Sequence, residues 1–189
     1  MRKTLATMLI LLMIAVPGCG GDKEPASPDP KGWPAFVEGF ADDWMNAHPI
    51  MGFGAGRKEF AGLFPDWSRR GIDAEIARLK EVASDARAYD EAQLSESERF
   101  ERDYILAVVD RNLFWLDRAG WPYRNPTFYF DWQLDQISPD AYLTKPYAPL
   151  DRRLQDFTRW LTNLWTAVGQ IRDNLKTPMP RTWVNQGIA

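Results

Sequence analysis

Histidine and cysteine are almost absent from this 189-residue chain: His48 and Cys19 are the only ones. Protein zinc sites draw on His, Cys and carboxylate ligands, and catalytic ones commonly use two or three His. A His-Glu-x-x-His helix is therefore excluded. A lone cysteine has no disulfide partner within the chain. A Ser-His-Asp arrangement would have to use His48 as its base. That residue sits at a helix end beside Pro49, where capping or packing is the expected role. The glycines of Gly52 to Phe60 (GFGAGRKEF) lack the preceding strand and the Lys-Ser/Thr ending of a phosphate loop. Positive charge is also lacking. The formal net charge is −3, which gives no attraction to nucleic acid.

The longest apolar run is short. Leu5 to Val16 (LATMLILLMIAV) follows Arg2 and Lys3 and carries no charge. Twelve residues make a helix of about 18 Å, whereas a bilayer core needs roughly 20 residues. The run reads as the apolar core of a signal peptide. Val16-Pro17-Gly18-Cys19 follows at once and resembles the lipobox of bacterial lipoproteins. Cleavage before Cys19 and lipidation of that residue are expected. More than one acyl chain is what stable anchoring requires. Lipid would also remove the only thiol from chemistry. Gly20 does not resemble an inner-membrane retention signal, so the cell envelope is the expected location, at the outer membrane where the host has one. Loss of 18 residues from 189 leaves 171, and loss of Arg2 and Lys3 moves the formal charge from −3 to −5.

Three divisions are expected: a signal peptide over 1–18, a flexible tether over 19–32, and a helical domain over 33–189. The tether (GGDKEPASPDPK, Gly20 to Lys31) is rich in Gly, Pro and charge. Phe36, Val37, Phe40 and Trp44 share one face of a first helix that ends near Ala47, because His48 precedes Pro49. His48 to Gly62 reads as a loop. Ile72, Ile76, Leu79, Ala83, Ala86 and Tyr89 mark a second helix. Ser95 and Glu98 have the spacing of a capping box for a third, with Phe100, Tyr104, Val108, Trp115 and Leu116 expected on its buried face. In the fourth, Leu150, Leu154, Phe157, Leu161, Leu164, Val168, Ile171 and Leu175 recur every 3.5 residues on average, as in a coiled-coil seam. Helices two and three are its expected antiparallel partners. Pro149 suits the first turn and Pro178 stops the helix. The fold class is mainly α, an antiparallel bundle of about four helices, with Thr127 to Trp132 the one short stretch that could form a strand.

Between helices three and four lies an aromatic-rich connection, Ala119 to Ala148. Connections of this length are uncommon in compact domains unless functional. One use is to seal the end of the bundle. The other is to bind a peptide or cell-wall glycan, with Tyr129, Asp131, Trp132 and Asp135 as the candidate contacts. Asp131 and Asp135 are i,i+4 if helical, and a pair of carboxylates can run acid–base hydrolysis if burial raises one pKa. Arg181 to Ala189 opens another apolar pattern without a cap or polar tail, which suggests a chain incomplete at its C-terminus.

The order of these features is similar to the N-terminal region of a bacterial family catalogued as a domain of unknown function (DUF-885). The resemblance rests on Ala47-His-Pro-Ile-Met-Gly52, Leu94-Ser-x-x-Glu98, Trp121-x-x-x-Asn125-Pro126-x-x-Tyr129, Tyr147-Ala-Pro-Leu150 and Asn174-Leu-Lys-x-Pro178. It spans about Trp33 to Ala189. It implies a mostly helical, often lipid-anchored protein grouped with gluzincin-type zinc metallopeptidases. The zinc motif of such relatives, His-Glu-x-x-Pro-Gly-His-His, lies well beyond the matched region and is missing from this chain. The resemblance thus implies one helical wall of a substrate cleft, catalytically silent alone. Zinc is expected only in full-length relatives. The expected partners are the membrane through Cys19, a peptide or glycan ligand, and a missing C-terminal region.

Overall fold

A computed structural model of the protein describes residues 32–129 and 140–188. The described residues form eight α-helices and no strand. Helix α1 spans Trp33–Ala47, α2 Pro49–Gly54, α3 Arg69–Ala88 and α4 Glu96–Leu113; α5 (Thr127–Tyr129) and α6 (Ala141–Thr144) are single turns, and α7 (Leu150–Asn174) and α8 (Arg181–Ile188) complete the chain. The mainly helical fold thus agrees with the periodicity. None of these helices is long and apolar enough to cross a membrane. Residues 1–31, which include the expected signal peptide, Cys19 and nearly all of the expected tether, lie outside the described residues.

Local chemistry sets the helix ends. Ser95 Oγ accepts from the Glu98 N–H while Glu98 accepts from the Ser95 N–H, so the expected capping box is complete. Ser68 starts α3 by accepting from the Gly71 N–H. At the far end of α4 the chain widens into a π-helical turn, Phe114–Arg118. The stretch read as a loop is more ordered than expected. Pro49 occupies the first turn of α2, where its missing N–H costs nothing, and Lys58–Phe60 forms a 3-10 turn. Thr127–Tyr129 is a helical turn and not a strand.

Packing divides the apolar residues into three clusters. In the first, α1 lies against α3 and α4, with Trp33, Leu79, Ala83, Ile105 and Val109 buried. In the second, α6 and α7 cover Ile50 and Ala61 through Tyr142, Phe157 and Trp160. The third joins Trp67, Phe128, Tyr129, Ala167 and Ile171.

Two helices present faces other than those expected. On α4 the buried positions are Ile105 and Val109, whereas Phe100 and Tyr104 are 71% and 63% exposed. On α7 the buried residues are Asp156, Ala167, Ile171 and Asn174. Of the expected seam, Phe157, Ile171 and Leu175 pack inward, whereas Leu150, Leu154, Leu161 and Val168 are exposed. The reason lies in the partner. The inner face of α7 meets α6 and the extended segment 61–67, whose backbone carbonyls need donors, so polar side chains are drawn inward. Asn163 Nδ2 donates to Gly62 O (2.8 Å), Asn174 Nδ2 to Trp67 O (2.6 Å), and Arg159 to Ala61 O. The buried Asp156 carboxylate accepts from Arg152 Nε (3.1 Å) and Tyr147 Oη (3.2 Å).

Candidate functional site

A cavity of about 340 Å³ opens where five pieces of chain converge: the end of α1 with His48, the segment 65–67, the first half of α3, the junction of α4 with its π-helical turn, and α5. Its size falls within the range of small-ligand pockets. Trp67, Trp115 and Phe128 form aromatic walls, with Ile72 and Leu116 between them, and the polar groups are His48, Asp66, Glu75, Arg78 and Asn112. The π-helical turn supplies Trp115 and Leu116; such turns occur frequently at functional sites.

His48 joins α1 to α2. Its backbone N–H donates to Trp44 O at 2.9 Å, and its ring stacks on Trp44 with centroids 4.2 Å apart. Nδ1 lies 2.9 Å from the same carbonyl. A carbonyl only accepts, so Nδ1 carries the hydrogen and Nε2 is left as an acceptor. The capping role expected for His48 is therefore present, and the residue also lines the cavity. Burial holds its pKa below the ordinary imidazole value; the Trp44 carbonyl and the Glu75 charge oppose that effect, and Arg78 adds to it. The ring is neutral at pH 7.

Glu75 and Arg78 neutralise each other across one turn of α3. Arg78 Nε and Nη2 donate to the two Glu75 oxygens, both at 2.7 Å. The guanidinium also lies 5.9 Å over the Trp44 ring. Asn112 Nδ2 donates to Val108 O at 2.7 Å, which leaves its Oδ1 facing no donor among the described residues. Asp66 accepts from the Ser68 N–H (3.0 Å) and Gln170 Nε2 (2.9 Å); the Ser68 hydroxyl first, then its N–H and Gln170, hold the carboxyl below the usual range. The lining thus combines apolar walls with two acceptors that have no donor among the described residues, His48 Nε2 and Asn112 Oδ1, and one buried donor without a partner, Arg78 Nη1. It suits an apolar group flanked by both N–H donors and a carbonyl acceptor.

His48 gives the fold a pH dependence with a definite sign. Its folded pKa lies below the unfolded value of about 6.5. The unfolded chain therefore takes up the proton first. This contribution is complete above pH ~6.5 and declines as the pH falls through that value toward the folded pKa. No other side chain in the chain is a histidine, so pH 7.5 to 5 isolates it from the carboxylates. Urea denaturation should show lower stability at pH 5 than at 7.5, and His48→Gln should remove most of that difference. An equal difference in the variant would assign it to other groups.

The residues singled out from the sequence fall differently. Tyr129 is fully buried. Its hydroxyl donates to Pro122 O (2.8 Å) and accepts from Asn174 Nδ2 (3.0 Å), and burial drives its pKa far up. It braces the third cluster, while its neighbour Phe128 lines the cavity. Asp131, Trp132 and Asp135 lie outside the described residues. Sequence reasoning passed over the cavity. The available signals were the i,i+4 spacing of Trp44 and His48 and the dense aromatics after α4. Among the described residues no group of three or more His, Cys, Asp or Glu is placed to hold a metal ion, so no set of ligands for zinc is found there.

Family models, curated proteins and solved structures yield no match to this chain.

Proposed function

We propose that this chain is the helical, ligand-binding lobe of a lipid-anchored, metallopeptidase-like envelope protein, and that its cavity receives an apolar side chain of a peptide. The observation that carries the reading is the pairing of aromatic walls with two unengaged acceptors, His48 Nε2 and Asn112 Oδ1. A peptide brings both complements at once, a side chain for the walls and backbone N–H groups for the acceptors. Hydrogen bonds to such placed groups fix orientation, and burial of the side chain supplies affinity. Catalysis and zinc are assigned to a region of the parent protein outside this chain. Anchoring through Cys19 would hold the lobe at the membrane, and Cys19→Ser should release the protein from washed envelopes.

Binding is tested by calorimetric titration with blocked peptides bearing Leu or Phe, at pH 7.5. Ala74 lines the cavity from an exposed position on α3, so Ala74→Trp should fill the space without disturbing the core. The expected result is measurable binding by the native protein and a loss of ten-fold or more in the variant, with an unchanged melting temperature. No binding of any such peptide by the native chain would refute the reading, as would equal binding by Ala74→Trp.

A further inference from the structure

The outer face of α7 carries an apolar stripe that nothing in the described fold covers. Leu150, Leu154, Leu161, Trp165 and Val168 are 55%, 45%, 43%, 78% and 45% exposed. Thr158 lies among them, also exposed. Contiguous apolar surface of this kind marks an interaction site, whereas scattered single residues do not. The charges that border the stripe are distributed unevenly. Asp151 stands at its N-terminal end and Arg172 at its C-terminal end. Neither takes part in an ion pair among the described residues.

We propose that α7 pairs antiparallel with α7 of a second copy of this chain. A two-fold axis at Leu161 sets Leu161 against its own mate and Leu154 against Val168, and brings Thr158 and Trp165, and Asp151 and Arg172, to within one residue of direct opposition. Each heterologous pair occurs twice by symmetry, so one patch is complementary to itself, as an isologous dimer requires. A parallel arrangement would place Asp151 beside Asp151 and Arg172 beside Arg172, with like charges facing at both ends. The seam-like spacing of the leucines favours a straight helix partner over an irregular one. A lipid surface is less well matched, because acidic Asp151 and Asp173 lie near the ends of the stripe as well as Arg172, whereas interfacial helices carry Lys and Arg on the polar face.

Cysteine cross-linking of the full chain reads the register directly. The parent, with Cys19 alone, sets the background under copper-phenanthroline oxidation and non-reducing electrophoresis. Leu161→Cys should give a covalent dimer well above that background. Leu154→Cys or Val168→Cys alone should not, since each would lie roughly 21 Å from its mate along the helix axis. The Leu154→Cys/Val168→Cys double variant should cross-link efficiently. Asp151→Arg added to Leu161→Cys should reduce the dimer several-fold, and Arg172→Asp in the same chain should restore it. Cross-linking by the single variants at 154 and 168 as strong as that at 161 would overturn the antiparallel register. Absence of any dimer above the parent would overturn the pairing itself, as would quenching of Trp165 by brominated-lipid vesicles in place of cross-linking.

Discussion

Gly62→Ala should lower the stability of the domain by about 3 kcal/mol or more. Gly62 has φ +78°, a region that L side chains enter at a cost of roughly 1–2 kcal/mol. Space is the second cost. A Cβ there would stand 2.6 Å from Asp156 O and 3.0 Å from Trp160 N, both backbone atoms of α7. Neither can swing aside as a side-chain end can, so the segment and the helix must part; overpacking of this kind costs about 1–3 kcal/mol. Parting them also strains bonds that depend on the approach. Gly62 N–H donates to Tyr142 Oη at 3.0 Å, and Gly62 O accepts from Asn163 Nδ2. For a domain of this size the loss corresponds to a fall in melting temperature of roughly 6–12 °C. Gly56 provides the control. Its φ is +92°, yet nothing lies within 4 Å of its Cβ position, so Gly56→Ala carries the conformational cost alone. Thermal melts followed by circular dichroism should separate the two variants clearly. Equal losses would show that the contact between Gly62 and α7 contributes nothing.

Trp33→Ala should cost about 3–5 kcal/mol, the range for emptying a large aromatic side chain from a core. Trp33 is fully buried at the start of α1. It stacks on Phe36 (5.2 Å) and meets Tyr89 edge-on (5.0 Å), and its Nε1–H donates to Glu101 Oε2 at 2.9 Å. The residue thus ties α1 to the end of α3 and the first turns of α4. Trp33→Phe keeps most of the packing and removes the donor, and should cost only about 1–2 kcal/mol. Urea denaturation of the three proteins checks the order. Unchanged slopes with shifted midpoints are expected if the native fold survives. A loss below 1 kcal/mol for Trp33→Ala would place α1 outside the cooperative unit.

Helix existence and helix ends were legible in the sequence. Ser95 and Glu98, Pro49, and Pro149 with Pro178 act through bonds and clashes within a few residues, so their effect does not depend on what packs nearby. The α3 face was legible for a related reason: Ile72, Leu79, Ala83 and Ala86 leave that helix only one apolar side. The candidate site was barely legible. His48 was visible as a helix-end residue, but its neighbours in the cavity come from α3, the end of α4 and Phe128, and no spacing along the chain connects them.

Only the tertiary structure decided which faces of α4 and α7 turn inward. Hydrophobicity is non-directional and scales with area removed from water, so an apolar stripe states that a face can be buried without saying by what. On α4 the approach of α3 selected Ile105 and Val109 and left Phe100 and Tyr104 outside. On α7 the neighbouring segment 61–67 brought backbone carbonyls in need of donors beside its apolar Phe64 and Trp67. Asn163, Asn174 and Arg159 satisfied them, and the leucine stripe was left facing outward.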